Sequence, residues 1–257
     1  MAAAEDWNPG LGDAAAFQRA DPGGFLGCFV DEQLISSISA VRYSDSYGFI
    51  GLYLCRLDRR AQGFGRAIWD AGLASLGNRV VGLDGVPAQQ PNYGSMGFAT
   101  AYETERYSGR PIGMADVAVV AISAELVPQV VAYDRRCFPA ERGPFLRAWI
   151  GEPRVARALV ENSRVMGFAV VRRCVQGHKV GPLFADDAES AARLLGGVCR
   201  SVEGEVHIDV PAAQTDFVAH LRRQGLSPGF QTARMYRGTA PKVAQGRVFG
   251  VTTLELG

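Results

Sequence analysis

The sequence predicts an α/β (α+β) protein built from two related domains, and two observations indicate this fold class. First, apolar stretches with the pattern of β-strands alternate with amphipathic helical stretches along the chain. Second, residues 97–106 recur as residues 225–234, with glycine, aromatic, threonine and arginine at the same spacing and an offset of 128. A chain of 257 residues, 47% of them hydrophobic, is long enough to bury the cores of two such domains.

Two further matches extend the repeat. Residues 83–90 recur as residues 208–214 with one residue missing, and residues 34–42 align with residues 164–172 at an offset of 130. Their common order and nearly constant offset indicate a duplication. We therefore predict domains at residues 1–111 and 112–240, joined near residues 109–113, and a β-rich tail at residues 241–257.

The first copy is predicted to begin with a β-hairpin, because two apolar stretches flank the polar turn Asp31-Glu-Gln33. A third strand ends at Cys55, the glycines after it precede a helix, and Gly97 closes a short helical turn. The predicted strands are 25–30, 34–43, 49–55, 80–83 and 98–107, and the predicted helices are 65–76 and 89–95.

The second copy shows the same kinds of element. Its predicted helices are 124–137, 143–149, 188–202 and 214–224, and its predicted strands are 154–160, 165–174, 205–210 and 230–236. Residues 247–256 of the tail are rich in β-formers, so we predict that they pack as an extra strand beside one of the domains.

Composition and charge exclude several classes of protein. With 27 basic and 26 acidic residues, the net charge of +1 gives no electrostatic basis for binding nucleic acid or a membrane surface. Five scattered cysteines without a C-x-x-C pair fit reduced thiols in the cytoplasm, and three dispersed histidines predict no metal site. No apolar run reaches 18 residues, and the N-terminus lacks the pattern of a signal peptide.

The most informative motif is the loop between the third strand and the first helix. Gly63 and Gly65 would let backbone N–H groups converge at a helix N-terminus, where a phosphate can bind, and arginines surround them. A G-x-G pair alone is also compatible with an ordinary turn. The spacing Arg60-x-x-Gly63-x-Gly65, followed by Tyr93-x-x-x-Gly97-Phe98, resembles the acyl-CoA site of the GCN5-related N-acetyltransferases.

This resemblance implies a fold and a set of ligand-binding residues. Each domain would have a mixed, mostly antiparallel central sheet flanked by helices, and the cosubstrate would be acetyl-CoA. The family usually has a strand and a helix before the first hairpin, and that strand is expected to be missing from the first copy. The implied donor-binding residues are Tyr53, Leu54 and Cys55 for the pantetheine arm, Arg60, Ala61, Gln62, Gly63, Phe64, Gly65 and Arg66 for the pyrophosphate, and Asn92 for the pantetheine. Asn92 is equally compatible with a helix N-cap.

The reaction implied by the resemblance is direct transfer of an acetyl group to a primary amine. Tyr93 would donate a proton to the leaving thiolate, because tyrosine is protonated at neutral pH. An ordinary amine is mostly protonated at pH 7, so a base is needed. Asp84 could be that base, but Asp209 occupies the same place in the second copy, which favours a role in bracing the adjacent turn. Other candidate carboxylates are those of Asp45, Glu103 and Glu105.

Two other functions are compatible with the sequence. The chain could be a non-catalytic acyl-CoA sensor, or Cys55 could act as a nucleophile, although no histidine is paired with it in sequence. The acceptor could be a small molecule or a peptide amine, and the oligomeric state is not predicted.

The second copy is expected to have lost acyl-CoA binding. Residues 187–193 replace the loop of the first copy and contain neither glycine. Asp186, Asp187 and Glu189 would repel a pyrophosphate while they cap their own helix. Tyr93 aligns near Phe217 or Leu221, and neither has a hydroxyl. We therefore predict one active copy and one degenerate copy.

Overall fold

The computed structural model describes residues 7–257. The elements of the first half are α1 (Asp13–Ala20), β1 (Phe25–Val30), β2 (Gln33–Arg42), β3 (Tyr47–Cys55), α2 (Phe64–Leu76), β4 (Val80–Gly85), α3 (Gln90–Ser95) and β5 (Phe98–Gly109). Those of the second half are β6 (Val119–Ala121), α4 (Val127–Cys137), α5 (Gly143–Trp149), β7 (Val155–Glu161), β8 (Arg164–Arg173), β9 (His178–Ala185), α6 (Ala188–Cys199), β10 (Val206–Pro211), α7 (Thr215–Arg223), β11 (Ser227–Arg237) and β12 (Val248–Gly250). No helix in this described part is both long and apolar enough to span a bilayer.

The strands of both halves form one mixed, mostly antiparallel sheet, which confirms the predicted fold class. The strand order is β1-β2-β3-β4-β11-β5-β10-β9-β8-β7-β6, and β12 pairs with β9 outside this path. Two neighbouring pairs, β3 with β4 and β9 with β10, are parallel. Helices cover the sheet; α2, for example, buries Ile68, Trp69 and Leu76 against the first half.

The two halves exchange their last strands. β11 of the second half lies between β4 and β5, and β5 of the first half lies between β11 and β10. The sheet therefore runs without interruption from one half to the other.

Three elements were not predicted: α1, β6 and β9. α1 depends on the second half, because Phe17 stacks on Trp149 at 5.8 Å and Asp13 accepts a hydrogen bond from Arg172 at 3.1 Å. β9 contains Pro182, which cannot donate a ladder hydrogen bond and so weakens the strand pattern. Before β1, residues 7–24 contain α1 and a single bridge between Gly10 and Cys174.

The C-terminal tail packs against strands of both halves. Residues 247–256 were predicted to form one extra strand, but the strand covers only Val248–Gly250, which pairs with Leu183 and Phe184 of β9. After it, the Val251 N–H donates to the Asp209 carbonyl at 2.9 Å, and the Tyr43 hydroxyl donates to the Leu256 carbonyl at 2.9 Å. The tail thus contacts both halves.

Candidate active site

A cleft opens in the first half where β3 separates from β4. The two strands pair in parallel only from Tyr47–Val80 to Ile50–Leu83. Beyond Ile50, β3 still pairs with β2 on its other side, through Gly51, Leu54 and Cys55. The edge of β3 that faces β4 is therefore open, and a cavity of about 550 Å³ lies along it. An extended ligand could pair with this edge as an added strand.

The glycine loop forms one end of the cavity. Ala61 and Gly63 have φ of 60° and 89°, a left-handed conformation that brings the chain into the N-terminus of α2. Arg60, Ala61, Gly63, Gly65 and Arg66 line the cavity, so the backbone and positive charge of the loop face the same space. This arrangement suits an anion such as a pyrophosphate.

Two loop residues that were predicted to bind the pyrophosphate, Gln62 and Phe64, do not line the cavity. The Gln62 side chain donates to the Asp58 carbonyl at 3.1 Å, and the Phe64 carbonyl accepts from Ser36 at 3.2 Å. Both contacts hold the loop against its own turn and against β2. The arginines also have local partners: Arg60 donates to the Cys55 carbonyl at 3.2 Å, and Arg66 pairs with Asp70.

Tyr93 of α3 lies in the wall of the cavity. Its ring stacks on Trp69 at 5.4 Å, and its side chain is largely buried. Within residues 7–257 the Tyr93 hydroxyl has no hydrogen-bond partner, and the residue lines the cavity together with Asn92. Burial raises the pKa of Tyr93 to about 12, so the hydroxyl keeps its proton well above neutral pH.

Asn92 is not a helix N-cap, because α3 begins two residues earlier, at Gln90. Its side-chain amide donates to Gln89 at 3.4 Å. Tyr53, Leu54 and Cys55 also line the cavity, as the sequence predicted.

Asp84 is engaged in an ion pair with the second half. Arg234 donates to both carboxylate oxygens, at 2.8 and 2.9 Å, and the Asp84 side chain is 0% exposed. Burial acts to lower the pKa of Arg234, but Asp84 and neighbouring groups more than offset this, so it stays well above the ordinary value. The geometry favours a structural role for Asp84 over the role of a base, but its partner is Arg234 of β11 and not the adjacent turn, as the sequence had indicated.

The other candidate carboxylates, those of Asp45, Glu103 and Glu105, do not line the cavity. Asp45 is exposed, and Glu105 bonds to Tyr107 at 2.8 Å and to Gln231 at 3.0 Å. Cys55 does line it, but none of the three histidines, all within the described residues, joins it there. The arrangement therefore offers no thiol–histidine pair for nucleophilic catalysis.

The equivalent cleft in the second half is filled by the chain itself. β9 and β10 pair through Val180 and Ile208 and then separate, as β3 and β4 do. Here β12 pairs with the opened edge of β9, and Val251 bonds to β10. Asp187 is the N-cap of α6, the helix after β9, as predicted. Its carboxylate accepts a hydrogen bond from the Ser190 N–H at 2.8 Å.

Sequence reasoning missed one side of the active cavity. The residues on that side are Trp7, Arg106, Phe230, Thr232, Leu254 and Glu255. They come from the N-terminal segment, the exchanged strands and the tail. No local motif marks them, although the repeat that pairs residue 104 with residue 232 shows that the last strands correspond.

The comparisons with known proteins show the family of the chain. The model of the acetyltransferase (GNAT) domain matches residues 130–250, which is the half whose cleft is filled. A holothin acyltransferase from Pseudoalteromonas sp. (strain SANK 73390) is 34% identical over 262 aligned residues, covering 100% of this chain and 89% of the relative.

Solved structures share the fold. A putative acetyltransferase from Pyrococcus horikoshii superposes with a TM-score of 0.81 at 22% identity, covering 95% of this chain and 84% of the other. A tandem GNAT protein from the clavulanic acid biosynthesis pathway gives a TM-score of 0.62 at 13% identity, with 93% of each chain covered. The chain belongs to the GNAT acetyltransferase family and is an acyltransferase.

Proposed function

We propose that the protein transfers an acetyl group from acetyl-CoA to a primary amine of a small molecule, by direct attack in the cavity of the first half. The observation that carries this proposal is the open edge of β3, which ends at the glycine loop and faces Tyr93 across one cavity. Gly51–Cys55 would pair with the pantetheine arm, and Arg60–Arg66 would bind the pyrophosphate.

Tyr93 would serve as the acid. Tyr93 lines the cavity, and its raised pKa keeps the hydroxyl protonated. When the carbon–sulfur bond breaks, the thiolate takes this proton. Asn92 would contact the donor from the same helix.

Each chain would bind one acetyl-CoA. The cleft of the second half contains β12, so a second pantetheine arm would have to displace part of the protein. This half would instead support the sheet and supply one wall of the acceptor site. The scattered thiols and the proposed donor fit the cytoplasm as the working compartment.

A small-molecule acceptor is favoured over a peptide by the volume of about 550 Å³, which the donor must share. The relative that is 34% identical is a holothin acyltransferase, so holothin is the first acceptor to test.

The test is to incubate the protein with acetyl-CoA and holothin and to follow thiol release together with the mass of the product. We expect an acetylated product that depends on the protein. Binding of acetyl-CoA without transfer to holothin or to any other amine in a broad panel would contradict the proposal and favour an acyl-CoA sensor.

A further inference from the structure

A buried carboxylate on the C-terminal tail lies at the side of the cavity that sequence reasoning missed. Glu255 is 8% exposed and lines the cavity. One of its carboxylate oxygens, Oε2, is buried and has no hydrogen-bond partner within residues 7–257. An ionisable group in this situation pays a large desolvation cost unless a ligand completes its contacts.

The other buried carboxylates of this region are satisfied. Asp84 binds Arg234 and Asp209 binds Arg106, each through two hydrogen bonds. Glu255 forms no ion pair with any residue of the described chain within 4.0 Å. The two aspartates brace the sheet, whereas Glu255 lines the cavity and forms no ion pair within the described residues.

The backbone of Glu255 is held in place at the point where the cleft opens. Its carbonyl accepts a hydrogen bond from the Ser39 hydroxyl at 3.3 Å. The same carbonyl packs so closely on Gly51 that a β-carbon there would lie 1.9 Å from it. Only glycine is small enough for this contact, so the tail packs against the first residue of β3 that no longer pairs with β4.

Within residues 7–257, the charged groups around Glu255 lie beyond ion-pair distance of its carboxylate. The groups that act on it electrostatically are Arg106, Lys179, Asp84 and Cys174. Lys179 donates to the Trp7 carbonyl at 2.8 Å, and Arg106 is bound to Asp209. Glu255 is the main charge that favours the protonated form of Lys179, but within residues 7–257 no cation lies within 4.0 Å of its carboxylate, so a cationic ligand would not have to displace an ion pair.

We infer that Glu255 binds the acceptor amine and takes its proton, an inference that rests on the function proposed above. The walls beside it, Trp7, Phe230 and Leu254, are apolar, and the Arg106 guanidinium lies over the Phe230 ring at 5.0 Å. This combination suits a small monoamine with an apolar body. An amino acid is disfavoured, because Arg106, which lines this side of the cavity, is already bound to Asp209.

The Glu255 carboxylate takes one proton from the bound ammonium group, and the lone pair that is released forms the bond to the thioester carbon. The carbon–sulfur bond breaks, and the thiolate takes the Tyr93 proton. The remaining excess proton on the nitrogen returns to the Tyr93 oxygen through water, and Glu255 releases its proton to solvent.

The experiment compares the wild type with E255Q, E255D and the exposed control E203Q, using acetyl-CoA and 2-phenylethylamine. We expect E255Q to lose about 100-fold in kcat/KM for the amine at pH 7. E255D should retain part of the activity, E203Q should match the wild type, and affinity for acetyl-CoA should stay within twofold in all variants. Thermal melting checks that each variant is folded.

A pH series separates this role from a structural one. As pH rises toward the pKa of the amine, about 10, the amine loses its proton without help, so the deficit of E255Q should shrink. A deficit that is constant with pH, or activity of E255Q within threefold of the wild type, would overturn the inference. If the wild type binds acetyl-CoA and acetylates holothin but not 2-phenylethylamine, the acceptor class inferred here is wrong while the proposed function stands. Absence of acetyl-CoA binding would overturn both.

Discussion

Arg234 binds both carboxylate oxygens of Asp84, although the two residues lie 150 positions apart in the chain. They are direct neighbours across β11 and β4. The duplicated pair, Arg106 and Asp209, makes the same contact across β5 and β10, at 2.7 and 2.9 Å. Each aspartate is thus bound by the arginine of the other half, which ties the exchanged strands to both halves.

The first prediction concerns this pair. Asp84→Asn should lower the free energy of unfolding by roughly 3–5 kcal/mol, because it leaves a buried arginine without its charge partner. Asp209→Asn should have a similar effect. Asp70→Asn, which removes an exposed pair with Arg66, should leave the free energy of unfolding nearly unchanged. Urea unfolding measures all three. If Asp84→Asn left stability unchanged and abolished turnover, Asp84 would be a base after all.

The second prediction concerns the proposed acid. Tyr93→Phe should lower kcat roughly 100-fold and leave the affinity for acetyl-CoA nearly unchanged, because the ring still stacks on Trp69. Tyr133→Phe is the matched control, since its hydroxyl bonds to Asp186 in the second half. Steady-state kinetics and calorimetry separate the two quantities. Equal loss of turnover and donor affinity would show that Tyr93 is structural.

The third prediction is a pH dependence. Tyr93 acts in its protonated form, and burial raises its pKa to about 12, so the active form persists to higher pH than for an ordinary tyrosine. We expect no decline of kcat from loss of this proton up to about pH 10, where an unperturbed tyrosine would be half ionised. A decline near pH 10 in the wild type that is missing from Tyr93→Phe would contradict this.

The fourth prediction tests the glycine loop. Gly65→Asp should abolish acetyl-CoA binding, because the new carboxylate would repel the pyrophosphate at the N-terminus of α2. The helix should still form, because Gly65 is the second residue of α2 and the equivalent position of α6 is already occupied by an acidic residue, Glu189. Calorimetry measures binding and thermal melting checks the fold. Unaltered affinity for acetyl-CoA in the folded variant would remove the loop from the donor site.

Local patterns were sufficient to predict the strand, loop and helix on the side of the cavity where we propose that the donor binds. β3 ends at Cys55 as predicted, and Gly63 adopts the left-handed conformation that the loop requires. These features depend on residues close together in sequence, where periodicity and glycine placement carry the information. The repeat also predicted the correspondence of Asp84 with Asp209 and of Arg106 with Arg234.

The acceptor side could not be predicted in the same way. Glu255 reaches Ser39 across 216 positions, and Trp7 accepts a hydrogen bond from Lys179 across 172. Strand exchange likewise depends on pairing between distant segments. Because β5 and β11 have similar local patterns, the sequence does not show which of them pairs with β4. The filled second cleft follows from where the tail packs, although the loss of both glycines already indicated that this copy binds no acyl-CoA.

The most direct test of the account is a calorimetric titration of acetyl-CoA into the wild-type protein, read for stoichiometry. The open cleft beside β3 and the cleft filled by β12 predict one site per chain. Two sites would contradict the assignment of the second half as degenerate, and no binding to the folded protein would contradict the donor site itself.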